Sequence, residues 1–364
     1  MRVEHYEYVG AIHIHSNYSD GNASIPEIVE IAGSVGLDFL MFTDHMTLEP
    51  LKHGLEGWHR NPASGGHILV LIGYEINDPE DRNHYLAFDL DEVLPPAWTA
   101  KEYVHAVRQR GGIGFIAHPD EKRTGWPRHH PAYPWTDWRV TGYDGIEIWN
   151  HSSEWVEKVN RRNAMLRYMH PRGWLDGPSR ITLERWDRLN EERLVVGIGG
   201  IDAHDFRHQV LGPFSVRIFP YKVQLQAIRT HVLLEEPLSP DVERSKRAIY
   251  DALVHARCFI SHFRWGDARG FRWWAEARAE TFEMGATLPF RSGVTLHSTL
   301  PATGEMVVVR SGEISYRKSG DRLSLPVDRP GIYRIEVRRK GKPWIFSNPI
   351  RILNLNKRDA DERR

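Results

Sequence analysis

The sequence predicts an α/β protein: a first part of parallel strands and helices, then a small all-β module. Three observations predict it. Short apolar runs alternate with amphipathic helical patterns from about residue 9 to residue 256. After about Gly266 the texture changes to short alternating strands separated by Gly, Pro, Ser and Asp. The chain has 364 residues, 41 % of them apolar, enough for one large domain and a small one.

The elements follow in order. VGAIHIH (9–15) reads as a strand. Ser24-Ile25-Pro26-Glu27 is a capping box with proline in the first turn, and Ile25, Ile28, Val29 and Ala32 fall on one helical face. LDFLMFTDH (37–45), ILVLIGYEI (68–76) and HYLAFDL (84–90) are strand-like, and Thr99 to Glu102 caps a helix running to about Arg110. GIGFIAHPD (112–120), YDGIEIWN (143–150) and RLVVGIGGIDAH (193–204) are further strands, with a helix expected from about Ser152 to Met169. FSVRIF (214–219) is a candidate neighbour strand, and Asp241 to Ala256 a final amphipathic helix. The organisation expected is a barrel-like domain over 1–266, a sandwich-like β-domain over 267–355, and a charged tail over 356–364.

Composition excludes several classes. Lys+Arg and Asp+Glu both number 48, so no global field draws in nucleic acid or membrane. No apolar run approaches the roughly 20 residues of a membrane span. The start of the chain lacks an apolar signal core, and Cys258 is the single cysteine. A cytoplasmic protein with a small-molecule substrate is expected. The outlier is histidine, with 20 copies.

These histidines gather at strand ends. HIHSNYSDG sets His13 and His15 one residue apart, with Asp20 in the following turn. Later strands end in Asp44-His45, Glu75, His118 and Asp202-x-His204, and one begins with His84. The carboxyl ends of parallel strands converge on one crevice, so these side chains should meet. Residues i and i+2 of a strand share a side, which lets His13 and His15, or Asp202 and His204, grip one ion. Glu75 can bridge two cations, and Asp44 reads as a supporting partner. Imidazole and carboxylate without thiolate suit Zn, Mn or Fe.

HIHSNYSDG, FTDH, GYEI, HYLAF, IAHPD and GGIDAH, in that order, resemble the motifs of the PHP (polymerase and histidinol phosphatase) family of metal-dependent phosphoesterases, over roughly residues 8–262. The trailing β-module ending in SNPI is similar to a carbaryl-hydrolase-like branch. The resemblance implies a distorted (β/α)7 barrel with two or three divalent ions at its mouth. By that resemblance His13, His15, Glu75 and Asp202 hold the first ion, Glu75, His84 and His118 the second, and Asp20, His45 and His204 the third. Many family members have histidine where this chain has Asp20.

Two cations about 4 Å apart share and activate a hydroxide, which suits attack at phosphorus. The expected activity is therefore phosphoester hydrolysis, of a monoester or a diester. The alternatives are carbamate, ester or amide hydrolysis on the same centre, and a binding protein on the same scaffold. After His118 the segment DEKRTGWPRHHPAYPW (120–135) reads as a specificity loop. Arg123, Arg128 and Arg207 are candidate phosphate clamps, and His130 is the candidate proton donor to the leaving oxygen. His151 and Glu154 read as a surface pair, RRKGK (338–342) as a hairpin edge, FRWWAEA (271–277) as a core or interface strand, and Cys258 as a small apolar residue.

Overall fold

A computed structural model of the chain describes residues 5–62, 65–123, 131–211 and 214–354; side chains at 171, 206–211 and 214–218 are outside this set. Seven strands close a ring: β1 (Tyr6–Ile14), β2 (Phe39–His45), β3 (His67–Ile76), β4 (Tyr85–Phe88), β5 (Ile113–Ile116), β6 (Gly145–Asn150) and β7 (Val196–Ala203). Neighbours pair in sequence order and β7 returns to β1. The barrel is not all-parallel as the sequence suggests. β4 runs antiparallel to both β3 and β5. That reversal brings the start of β4, and with it His84, to the rim where the other strands end.

Two periodicities build the layers. Leu40 and Phe42 pack outward under the helices, whereas Phe39 and Met41 fill the interior with Leu69, Leu71, Val196 and Ile198. Both faces are buried, which is why these strands read as unbroken apolar runs. Helix α1 (Ile25–Ser34) starts at its capping box: the Ser24 backbone N–H donates to Glu27 Oε2 at 2.7 Å, and Ile25, Ile28, Val29 and Ala32 are buried. Helix α2 (Ala100–Gln109) repeats the device with Thr99 and Glu102.

The helix expected from Ser152 to Met169 is two: α3 (His151–Glu157) and α4 (Ala164–Met169). Asn160 and Asn163 divide it, because each side-chain oxygen accepts from the other's backbone N–H. His151 and Glu154 are buried, not a surface pair; Glu154 accepts from the Trp149 indole and the Lys158 ammonium, both at 2.6 Å. A further helix, α5 (Arg180–Glu192), follows the Ser179 cap. After β8 (Ile228–Leu234), helix α6 (Val242–Val254) contributes Ile249, Tyr250 and Leu253 to the cluster that fills the barrel interior. No helix among the described residues is long and apolar enough to cross a membrane.

β9 (Cys258–His262) joins the two parts: it pairs with β8 on one side and with strand Lys342–Ser347 of the C-terminal module on the other. The module folds around Trp273, Leu296, Met306, Val308, Ile335 and Trp344, with Leu233 and Phe259 of the barrel side in the same cluster. Trp273 is thus a core residue, and Arg339 faces Lys342 across a hairpin turn. Cys258 is buried and its thiol is pushed up to about 12 by burial.

Polar side chains anchor the module to the barrel. The Gly197 N–H donates to Asn348 Oδ1 at 2.8 Å, and the Asn348 amide donates to the carbonyls of Gly197 and Cys258. Arg334 forks onto Asp187 of α5 at 2.6 and 2.8 Å, both side chains buried. Removing one partner leaves an uncompensated buried charge. Arg334→Ala is expected to lower unfolding stability by about 3–5 kcal/mol in urea titrations, and pairing Asp187→Leu with Arg334→Met to recover most of it. A single-variant loss under about 1 kcal/mol contradicts the buried pair.

Candidate metal centre

The interior columns change chemistry on the way up. Along β2 the inward series Phe39, Met41, Thr43 ends in His45; along β3 Leu69, Leu71, Gly73 ends in Glu75; along β7 Val196, Ile198, Gly200 ends in Asp202. β1 departs from simple alternation. Ile12 packs inside and Ile14 outside, and the register shifts between them. His13, at φ 69°, takes the extra position, so a bulge aims both His13 and His15 inward. Asp202 (φ 51°) and His118 (φ 26°) also hold left-handed backbone that side chains other than glycine rarely adopt.

All nine residues expected to bind metal come together. Their donor atoms form three groups, each with atoms within 4.8 Å of one another: His13, His15, Glu75 and Asp202; Glu75, His84 and His118; His15, Asp20, His45 and His204. His15 thus stands in two groups, one more than the sequence suggests. Glu75 is the centre. Its Oε2 lies 3.0 Å from His13 Nε2, 3.2 Å from His15 Nε2 and 3.5 Å from His45 Nδ1. Its Oε1 lies 2.7 Å from His84 Nδ1 and 3.3 Å from His118 Nε2. Asp202 Oδ1 is 3.4 Å from both His13 and His15, and Asp20 Oδ2 is 3.2 Å from His204.

Around the donors sits a supporting set. Glu147 Oε1 accepts from His13 Nδ1 at 2.8 Å, which turns Nε2 toward Glu75 and Asp202. Its Oε2 accepts from the His118 backbone N–H and from Asn150. Sequence reasoning passed over Glu147. The signal was there: a lone acid on the inward face of an apolar strand, opposite Gly200, where a Cβ would sit 1.6 Å from Glu147 Oε1. Asp44 does what the sequence suggests, accepting from the Ser16 backbone and hydroxyl and from Ser19 at 2.6–2.7 Å. It thereby pins the turn that carries Asp20. Gly21 closes that turn, with room for no Cβ against the His15 carbonyl.

The protein alone does not satisfy this cluster. Both ring nitrogens of His15, Nε2 of His84 and Nδ1 of His118 are buried without a hydrogen-bond partner. Burial opposes charge throughout, yet the acids and most of the imidazoles hold each other ionised. Burial lowers His84, but Glu75 and Asp81 outweigh it and push it up to about 10. His15 rises to about 9 beside Glu75 and Asp202 despite its burial. Glu75 lies well below the usual carboxylate range, held there by His13, His45 and His84 against burial. His45 is lowered to about 4, chiefly by burial. Orphaned imidazole nitrogens around shared carboxylates fit divalent cations.

The cluster floors a cleft of about 350 Å³. Arg123 lines it, but its guanidinium donates to Glu121 Oε1 at 2.6 Å, so it is not a free charge as the sequence suggests. Glu121 also accepts from Ser153 and from the Tyr133 backbone. Arg128 and His130 lie outside the described residues, as does the side chain of Arg207. Arg207 sits in strand Phe206–Leu211, which pairs with Phe214–Ile218.

Residues 11–123 match the PHP domain family. Asp202 and His204 lie beyond the matched PHP segment, and it is the barrel that folds them onto it. No curated protein matches the chain. Among solved structures, a two-domain protein from Bacteroides vulgatus, described as containing a predicted PHP-like metal-dependent phosphoesterase, shares 16 % identity over 95 % of both chains at a TM-score of 0.42. A structure from Bifidobacterium adolescentis, assigned by inference to metal-dependent phosphoesterases, shares 17 % identity over 54 % of this chain and 87 % of its own, at a TM-score of 0.35. An amidohydrolase from Chromobacterium violaceum, with bound sulfate and no metal, shares 15 % over the same fractions at a TM-score of 0.31.

Protons and cations compete for these donors. Because His15 and His84 are raised to about 9 and about 10, their protons stabilise the ion-free fold fully below about pH 6.5, and this is lost as pH rises through those values. Cation binding must displace them, so affinity is expected to rise from pH 6 to pH 9 with proton release. Calorimetry in buffers of different ionisation enthalpy counts those protons; a pH-independent affinity contradicts the assignment. Glu147→Gln, which keeps the shape but weakens the hold on His13, is expected to lower cation affinity by about 10–100-fold in chelator competition.

Proposed function

We propose that this chain is a metal-dependent phosphoesterase acting on a small-molecule phosphate ester in the cleft above Glu75. The observation that carries the reading is the sharing of donors: Glu75 belongs to two groups and His15 to two, so neighbouring ions would be held close together. His13, His15, Glu75 and Asp202 would hold one ion and Glu75, His84 and His118 a second. Asp20, His45 and His204, beside His15, would hold a third. Two or three divalent ions there would supply water activation at neutral pH and neutralise phosphoryl charge.

The chain's own residues orient and shield. Glu147 fixes the His13 tautomer, and Asp44 fixes the turn bearing Asp20. Tyr133 stacks on His84 with ring centroids 4.9 Å apart, covering one face of that donor. Arg123, held in place by Glu121, lines the cleft and would set its guanidinium beside the phosphate. Arg207 and His130 remain the candidates for a second phosphate contact and for the proton to the leaving oxygen.

The test strips the protein with chelator, restores zinc or manganese, and compares p-nitrophenyl phosphate, bis-p-nitrophenyl phosphate and an aryl carbamate. Turnover of a phosphate ester is expected only with metal, and Glu75→Gln is expected to lower kcat/KM at least about 100-fold. Full activity in the ion-free protein, or faster turnover of the carbamate than of either phosphate, overturns the reading.

A further inference from the structure

Two chemistries line the cleft. One is the donor cluster. The other is a contiguous aromatic group, Trp155, Tyr168 and Phe219. Trp155 and Phe219 meet edge to face, centroids 4.3 Å apart at 90°, and Tyr168 lies 4.9 Å from Trp155 at 57°. Trp155 and Phe219 are buried, while Tyr168 is 37 % exposed at the mouth.

Phe219 holds a left-handed backbone, φ 59°, an outlier for so bulky a residue. The Gln224 amide fixes that backbone by donating to the Phe219 carbonyl at 2.9 Å. Strain of this kind persists where surrounding contacts impose it, and it gathers at functional sites. Here it sets a ring against the cleft.

Among the described residues, several polar lining groups outside the cluster are already engaged. The Ser152 hydroxyl donates to the Asp202 carbonyl at 2.8 Å, Ser153 to Glu121 at 2.8 Å, and the Asn77 amide to Asp81 at 3.1 Å. A polyol leaving group would find few free partners there, and its hydroxyls would lose their bonds to water. A flat ring would find pre-positioned aromatic faces and edges.

We propose that the substrate is a phosphate ester with a planar aromatic leaving group, seated against Trp155, Tyr168 and Phe219 while the phosphate faces Glu75 and its histidines. This rests on the phosphoesterase reading and names its substrate class. The volume, about 350 Å³, lies near the lower end for ligand pockets and suits a phosphate with one or two fused rings.

The test measures binding to the zinc-loaded protein, not turnover. Phenylphosphonate and methylphosphonate share a head group and differ in the ring, and 2-naphthol carries the ring without phosphorus. Phenylphosphonate is expected to bind about tenfold more tightly than methylphosphonate, and 2-naphthol to quench tryptophan fluorescence saturably. Phe219→Ala and the more exposed Tyr168→Ala are each expected to narrow the phenyl-to-methyl ratio at least threefold, with circular dichroism confirming the fold. Equal affinity for both phosphonates with no naphthol binding overturns this inference and leaves the phosphoesterase reading standing. Naphthol binding without either phosphonate supports the aromatic wall and removes the phosphorus chemistry. Unchanged ratios in folded Tyr168→Ala and Phe219→Ala proteins overturn the assignment of the wall.

Discussion

Glu75 is a carboxylate with almost no exposure, and five imidazoles lie within 3.5 Å of its oxygens. A buried charge of that kind persists only if it is compensated, and here compensation has to come from cations. In the ion-free protein they are protons on His13, His15, His84 and His118, all raised above their ordinary value, whereas burial lowers His45. The same lone pairs are the ones a divalent ion would take. The site is therefore poised between two sets of cations, and proton competition follows from the burial of one acid.

The barrel exists in the form that surrounds this acid. Its interior columns are apolar at the bottom, where α6 closes them, and polar for only the last residue or two at the top. Confining the polar atoms to one rim leaves the packing below intact. Two departures from regularity complete the ring of donors. The antiparallel β4 delivers His84 from a strand's beginning, and the bulge in β1 turns His13 inward where alternation from Ile12 would turn it out.

Those departures mark what could be read from the chain and what could not. Both capping boxes and every barrel strand were legible, because patterns of period 2 and 3.6 with their caps are local. The donor residues were legible because imidazoles at strand ends have no structural reason to recur. The direction of β4 was not, since an apolar run of four residues reads the same either way. Helix α5 escaped because its buried side chains are Thr182, Trp186, Asp187 and Asn190, three of them polar types that do not mark a core face by themselves. Glu147 escaped because a partner that touches only a donor has no motif of its own. Arg123 lines the cleft, but its pairing with Glu121 depends on a turn that no spacing reveals.

The C-terminal module belongs in the same physical account. Its anchors converge on β7 and the helix preceding it: Asn348 holds Gly197 from both sides of the peptide, Arg334 clamps Asp187, and Arg351 donates to the Asn190 carbonyl at 2.9 Å. β7 is also the strand that ends in Asp202, at a left-handed residue whose conformation local preference does not favour. A strained donor at the end of a strand needs the strand itself held, and peptide groups in mid-strand are where the module takes hold. Asn348 meets β7 at Gly197, five residues before Asp202 and near the other end of the strand. The module can thus stiffen the donor without approaching the cleft, which leaves the rim open to substrate.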